Sequence, residues 1–430
     1  MEDLINFLSF SDPNVRFVAF GTMLLGAAAA IVGTFAFLRK QALVGDAVAH
    51  SILPGVCLAF IISGTKNPIY LLIGASISGW ISMIAVDYIS QNSKLKSDTA
   101  IGIVLSVFFG LGILLLTTIQ HSGNASQAGL DKFLFGKAAS LTSNDVKIFG
   151  GVAIVLILVV FLFYKEFKLI SFNPDFAKSI GLPVKTLEFV LSTLTVLAIA
   201  VGIQAVGVVL MAALLITPAA AARFWTHKLW KMILIATLFG AASALIGTFI
   251  SYSYPAMPTG PWIVVCLSMM ALFSIFFAPK NGLIPQLNNQ KANRLKIRNE
   301  NILKLFYHLG EKGNDFFKGY SKKELLASRD FRVQEIEQGL AHLKTKNLVR
   351  KLDEKWHLTS TGLVASKRVI KLHRLWEMYL NQKLKLAPDH VHNDAEAIEH
   401  IITPEIEKLL EKELNYPEKD PHQSTIPYTD

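Results

Sequence analysis

The sequence predicts an all-α polytopic membrane bundle of eight or nine transmembrane helices. It predicts, after the bundle, a cytoplasmic winged helix-turn-helix domain and a helical, candidate metal-binding segment. Three observations carry this reading. Of 430 residues, 52% are apolar and 17% charged; that is too apolar for a soluble domain and too charged for a pure membrane protein. The charge is also uneven. Residues 1–280 hold 17 Lys/Arg and 11 Asp/Glu, and residues 281–430 hold 25 and 21. Finally, the first part is a series of apolar runs of about 18–23 residues, the length a bilayer core demands.

The runs lie near 17–38, 43–63, 68–89, 101–118, 148–164, 186–203, 206–222, 232–252 and 261–278. The sixth and seventh are parted only by Gly202–Gly207, which leaves eight or nine spans open. Helices are expected throughout, because lipid offers no partner for open backbone groups. Gly/Ala stretches such as GAAAAIVG suit close helix–helix contact. Lys and Arg gather in alternate loops, at Arg39, Lys40, Lys94, Lys96, Lys165, Lys168, Lys178, Lys185, Arg223, Lys228 and Lys231. That bias places the amino end outside and the carboxyl-terminal half in the cytoplasm. The amino end shows no basic n-region followed by an apolar core, so no cleavable signal peptide is expected. Cys57 and Cys266 fall inside apolar runs and read as packing residues rather than a disulfide framework.

Within the second run, GDAVAHSILPG places Asp46 and His50 one helical turn apart, ahead of Pro54. Residues i and i+4 share a helix face. A carboxylate in a membrane is costly and usually faces a bundle interior or a wet path. A carboxylate with an imidazole is ligand chemistry for Mn, Fe or Zn. Pro54 frees backbone groups nearby and can kink the helix. The other reading is a satisfied polar contact for Asp46 and an interhelical hydrogen-bond donor for His50. Asp87 and Glu188, near inner ends of runs, read as capping or snorkelling acids. No Gly-x-x-x-x-Gly-Lys-Ser/Thr loop occurs, so any nucleotide hydrolysis needs a partner. The inner segment NPDFAKSIGLPV has the Asn173-Pro174-Asp175 start and Gly181-Leu182-Pro183 stop of a short helix.

ALVGDAVAHSILPGVCLAF resembles the signature of metal-ion ABC permeases of the manganese/zinc/iron type. LDKFLFGKAASL and GVVLMAALLITPAAAARFWT resemble later blocks of that family. The resemblance covers roughly residues 15–280. It implies a permease subunit in a bacterial cell (inner) membrane, working as a homodimer with two ATPase subunits and an extracellular metal-binding protein. It places Asp46 and His50 on the translocation path. It makes the 173–184 helix, with Asp175, Ala177 and Gly181, a candidate for coupling to the ATPase. No catalytic residue and no cofactor are expected; a divalent metal is the cargo and a candidate regulatory ligand.

The second half divides again by charge: residues 281–386 carry 22 Lys/Arg against 10 Asp/Glu, and residues 387–430 carry 3 against 11. We expect a permease domain over 1–280, a linker over 281–294, and a winged helix-turn-helix with its following helix over 295–386. An acidic helical tail, metal-binding or dimerising, fills 387–430. Helices are expected at Arg294–Leu309, Ser321–Ser328 and Arg332–Thr345, and Ser321 with Glu324 forms a capping box. A hairpin wing turns at Asp353-Glu354. His373 and Glu377 then share a helix face, as do His392, Glu396, Glu399 and His400. Imidazoles and carboxylates without thiolates lean towards Mn or Fe over structural Zn.

LTSTGLVASKRVIKLHRLWEMYL, VHNDAEAIEHIIT and DPHQSTIP resemble the diphtheria-toxin-repressor family of metalloregulators. That resemblance implies all six residues as metal-ligand positions. In manganese-type members the first helix adds two acids. Here those positions fall on Glu300 and Leu303, which would leave one site incomplete. Three functional readings follow. The first is an ATP-driven permease with a metal-sensing tail. The second is a membrane-tethered, metal-dependent DNA-binding regulator, supported by the basic module but opposed by Glu335 and Glu337 in its recognition helix. The third is a secondary transporter, opposed by the lack of an evident inverted repeat.

Overall fold

The computed structural model describes residues 5–7, 9–10, 12–121, 142–254, 257–329, 331–384 and 402–428. The chain divides into two compact units, Met1–Pro285 and Gln286–Asp430.

In the first unit, α1 (Pro13–Leu38) starts where Asp12 accepts from the Asn14 amide, with Pro13 at its first position. The second apolar run is two helices, α2 (Ala42–Ser51) and α3 (Leu53–Ser63). They meet at Ile52 because Pro54 has no N–H to give the His50 carbonyl. Next come α4 (Pro68–Asn92), α5 (Ser97–His121) and α6 (Ser143–Leu162). The Thr142–Asp145 capping box opens α6. The short α7 (Tyr164–Phe172) and α8 (Pro174–Ser179) follow, then α9 (Val184–Val206), α10 (Val208–Trp225), α11 (Leu229–Ser253) and α12 (Thr259–Phe277).

Eight of the described helical spans are long and apolar enough to cross a membrane, counting α2 and α3 as one. The apolar run Met211–Trp225 in α10 is shorter than these. It is separated from α9 by Gly207, whose φ of +92° suits only glycine. The two uncertain spans are thus distinct helices. Helix α1 is the hub and packs on α6, α9, α10 and α11. Its Gly26 lies so close to Gly240 of α11 that a Cβ there would sit 2.7 Å from the Gly240 carbonyl oxygen. That is the approach the small-residue stripe predicts. Ile62, Leu114, Phe161 and Leu162 point outward and exposed, as apolar side chains do where lipid is the solvent.

Helix α13 (Leu283–Gly313) starts just before the unit boundary, and the second unit is built around its residues from Gln286 on, with α14 (Lys322–Ser328) and α15 (Val333–Thr345). Residues 283–294, expected as linker, are the first turns of α13; apart from Pro285 near the first turn, nothing in QLNNQKANR breaks a helix. Strands β1 (Val349–Leu352) and β2 (Lys355–Leu358) pair antiparallel as the expected wing. Asp353 and Glu354 both have positive φ, as a two-residue type I′ turn demands. Then come α16 (Ser360–Leu384) and α17 (Pro404–Glu413). Ile302, Phe306, Leu325, Ile336, Leu340 and Leu358 form the core of the winged module.

Candidate metal path in the membrane unit and candidate metal site in the tail

Helix α2 carries the first pair. The i,i+4 spacing aims Asp46 and His50 the same way, and His50 Nε2 lies 3.6 Å from Asp46 Oδ1. Neither is sealed: the side chains are 23% exposed for His50 and 47% for Asp46. The imidazole stands edge-on to Phe109 of α5, with centroids 5.0 Å apart, which fixes the ring plane. His50 Nδ1 is buried and has no hydrogen-bond partner among the described residues. Ser78 of α4 donates to the Ser51 carbonyl at 2.6 Å, occupying a backbone acceptor at the helix break. The pair is therefore held by its backbone and an aromatic wall, with both side chains only partly covered. Sequence reasoning passed over Gln204 of α9, a helix packed on α2. Its side chain is 2% exposed and its Nε2 has no partner among the described residues. An amide near the end of a predicted span was the available signal.

At the cytoplasm-facing ends expected from the charge bias, Arg39 Nη2 donates to Glu188 Oε1 at 2.7 Å, tying α1 to α9. Glu188 is thus ion-paired across helices, and Asp87 is exposed. The expected coupling segment is α8. Asn173 caps it by accepting from the Phe176 amide at 3.0 Å, and Gly181 ends it at φ +85°. Asp175 and Gly181 are exposed, while Ala177 is buried against the unit. The earlier LDKFLFGKAASL block lies outside the described residues.

Helix α16 carries the second pair. His373 Nε2 lies 3.0 Å from Glu377 Oε1, and the side chains are 4% and 2% exposed. Lys304 of α13, itself 1% exposed, places Nζ 3.1 Å from His373 Nδ1. At the two first-helix positions, Glu300 approaches Lys296 at 3.9 Å, and both Glu300 and Leu303 line a cleft with His342 and Arg368. The residue after Leu303 is the one that reaches His373. Sequence reasoning missed it; a lone lysine inside ILKLFY was the signal. His392, Glu396, Glu399 and His400 lie outside the described residues. Among the described residues no group of three or more His, Cys, Asp or Glu forms a metal cluster.

Ion pairs tie the tail together around α16. Lys371 meets Glu407 at 2.6 Å and Glu411 at 2.8 Å. Burial works to lower the Lys371 pKa, but the hydrogen bonds to these two acids outweigh it and hold the ammonium above its usual range. Arg374 meets Glu311 at 2.8 Å and Asp420 at 3.4 Å. Burial, then the charges of Lys304 and Arg374, push His308 down to about 4.

Residues 11–278 match the ABC 3 transport family, well over half of the chain. The chain belongs to that family. Residues 359–428 match the iron dependent repressor, metal binding and dimerisation domain. The permease is 42% identical over 381 residues to the manganese transport system membrane protein MntC of Bacillus subtilis, covering 88% of this chain and 87% of that protein. It is 45% identical over 278 residues to the zinc transport system membrane protein TroC of Treponema pallidum, covering 65% and 93%. Its fold is similar to PsaBC from Streptococcus pneumoniae, solved in complex with Fab. The TM-score is 0.58 at 35% identity, covering 65% of this chain and 97% of that one. This is a multi-pass permease with a repressor-like domain at its carboxyl end.

Proposed function

We propose that this permease is the membrane subunit of an ATP-driven importer of a divalent transition metal, with manganese the favoured cargo and zinc or iron the alternatives. The observation that carries the reading is the open Asp46–His50 pair at a proline-broken helix in an ABC 3 fold. A borderline cation fits one carboxylate and one imidazole, and two donors fill only part of a four- to six-ligand shell. A homodimer doubles the set, with the same pair coming from a second copy across a twofold axis. Water supplies the rest, so that the ion is held weakly enough to leave.

The chain has no phosphate-cradling loop, so two ATPase subunits supply the hydrolysis. Helix α8 is the coupling element, with Asp175 and Gly181 on its exposed surface and Ala177 seating it. An extracellular metal-binding protein delivers the ion. The Lys/Arg bias supports a cytoplasmic tail, which reads internal metal and biases the permease towards rest. By linkage, metal must favour one conformation to do so.

The test is uptake by the reconstituted complex with Mn, Fe and Zn in turn. Asp46→Ala and His50→Ala are expected to abolish uptake with assembly intact; normal uptake would return both residues to packing. Removing the tail is expected to raise uptake at high internal metal, and identical rates throughout would reject feedback. The DNA-binding reading is weaker, because α15 exposes Glu335 and Glu337 where phosphate would approach. Glu337 is also paired with Lys322, which occupies a cation that DNA would need. A gel shift with the full chain in detergent separates the two.

A further inference from the structure

The basic residues that set the expected orientation of the membrane unit mostly have an acid close by. Arg39 is paired with Glu188. Lys165 and Lys168 flank Glu166, Lys178 follows Asp175, and Asp98 follows Lys96. The turn between α10 and α11 is different. From residue 189 to residue 285 the sequence holds four Lys/Arg, namely Arg223, Lys228, Lys231 and Lys280, and no Asp or Glu. All four are exposed, and none forms an ion pair with an acid among the described residues.

The fold gathers these cations. Arg223, in the last turn of α10, donates from Nη1 to His227 Nδ1 at 3.0 Å. The other ring nitrogen lies 3.1 Å from Asn281 Nδ2, next in sequence to Lys280. The imidazole thus joins the end of α10 to the segment after α12. Lys228 is the N-cap residue of α11, and its first turn, which includes Lys231, holds no acid. Positive charge at the amino end of a helix is unfavourable until an anion sits there. Aromatic side chains border the cluster. Trp230 is more than half exposed, with the Lys231 ammonium 5.4 Å from its ring centroid. Trp225 stacks on Phe273, and Phe273 on the exposed Phe277.

We propose that this cluster is a headgroup site for an anionic phospholipid. Arg223, Lys228 and Lys231 receive its phosphate, and its chains lie along the exposed Trp230, Phe273 and Phe277. Charge complementarity selects the anion, since basic groups at the end of a membrane helix attract acidic headgroups. The arginine fork suits two phosphate oxygens, and the lysines add point charge. The aromatic rim selects a lipid over a water-borne anion, because tryptophan gathers where hydrocarbon meets water. An acidic patch on a protein partner would satisfy the charges but leave these rings in water. The site is separate from the Asp46–His50 pair, so its failure leaves the importer reading standing.

The experiment titrates the full chain in detergent with palmitoyl-oleoyl phosphatidylglycerol and, separately, with the phosphatidylcholine of the same chains. Native mass spectrometry counts bound lipid. The wild type is expected to bind the anionic lipid more tightly by about a hundredfold. Sodium chloride at about 0.5 M is expected to remove most of that preference, and this measurement needs no variant. Arg223→Gln, Lys228→Gln and Lys231→Gln together are expected to weaken phosphatidylglycerol binding about a hundredfold, about fivefold for each charge. Lys94→Gln with Lys96→Gln, in another loop on the same expected side, is expected to change it by less than about twofold. Should circular dichroism show the triple variant unfolded, Lys231→Gln alone, with its fivefold loss, decides. Equal binding of the two lipids, or equal losses in the two sets of variants, overturns the site. Displacement of the lipid by inorganic phosphate assigns the cluster to a free anion. Unchanged lipid binding with weakened assembly onto the ATPase subunits assigns it to a protein partner. Either result overturns the lipid.

Discussion

The protein uses an acid and an imidazole at i,i+4 spacing twice, and the two pairs behave as opposites. Asp46–His50 is separated by 3.6 Å and partly open. His373–Glu377 is closed to 3.0 Å, almost fully buried, and capped by the Lys304 ammonium. Spacing alone brings the side chains to one face; burial and a third partner decide what the pair does. An open pair can take up and release a cation. A sealed pair engaged at both ring nitrogens ties two helices together.

The sharpest way to break this comparison is to remove a donor from each pair in turn. Asp46→Asn keeps the shape and removes the charge. It is expected to lower metal uptake about a hundredfold in the reconstituted complex, with unchanged assembly and melting. In the tail the same kind of change should appear as lost stability. His373→Leu removes the imidazole that contacts both Lys304 and Glu377, and is expected to cost about 3 kcal/mol. Chemical unfolding followed at the tail checks this. His50→Leu, at the partly open pair, should move stability by less than about 1 kcal/mol. Equal stability losses at the two histidines would mean that the difference in burial carries no functional meaning.

A pH titration sharpens the contrast further. His308 is held down to about 4, against an ordinary 6.5, by burial and by the charges of Lys304 and Arg374. The unfolded chain takes up this proton near the ordinary value, and the folded tail resists it. Stability from this residue is therefore present above about 6.5 and is lost as pH falls towards about 4. Thermal unfolding across that window should show the tail weakening, and His308→Asn should flatten the dependence. An unchanged slope in the variant would point to other groups.

Much of this molecule was legible in the sequence, for stated reasons. Apolar length located the membrane helices because a bilayer imposes it. Pro54, Asn173 and Gly181 marked helix ends because they act on the local backbone. The Asp353-Glu354 turn and the Ser321 cap were readable on the same ground. What escaped depended on contacts between distant segments. Lys304 and His373 are 69 residues apart, and a first-helix alignment drew attention to Leu303, one residue away. The linker was expected from the Pro, Gly and Asn that follow the last apolar run, yet the Asn-rich stretch after Pro285 is compatible with an exposed helix, and α13 uses it so. Glu188 looked like a helix-end acid until Arg39 reached it from 149 residues away.

The smallest expected effect lies at α14, far in sequence from either pair, and serves as the baseline for them. Ser321 accepts from the Glu324 amide, and Glu324 accepts in return from the Ser321 amide. These hydrogen bonds from Ser321 hold the Glu324 carboxyl below its usual range. Ser321→Ala should cost about 1 kcal/mol, read as a small drop in the tail's unfolding midpoint with Mn binding unchanged. Because the Glu324 pKa is depressed, its share is present above the ordinary carboxylate range and fades as pH falls through the folded value. That window lies below most of the one set by His308, so the two contributions separate in a single acid titration. If Ser321→Ala weakened the tail as much as His373→Leu does, the buried chain through Lys304 would hold the domain no more firmly than an exposed cap.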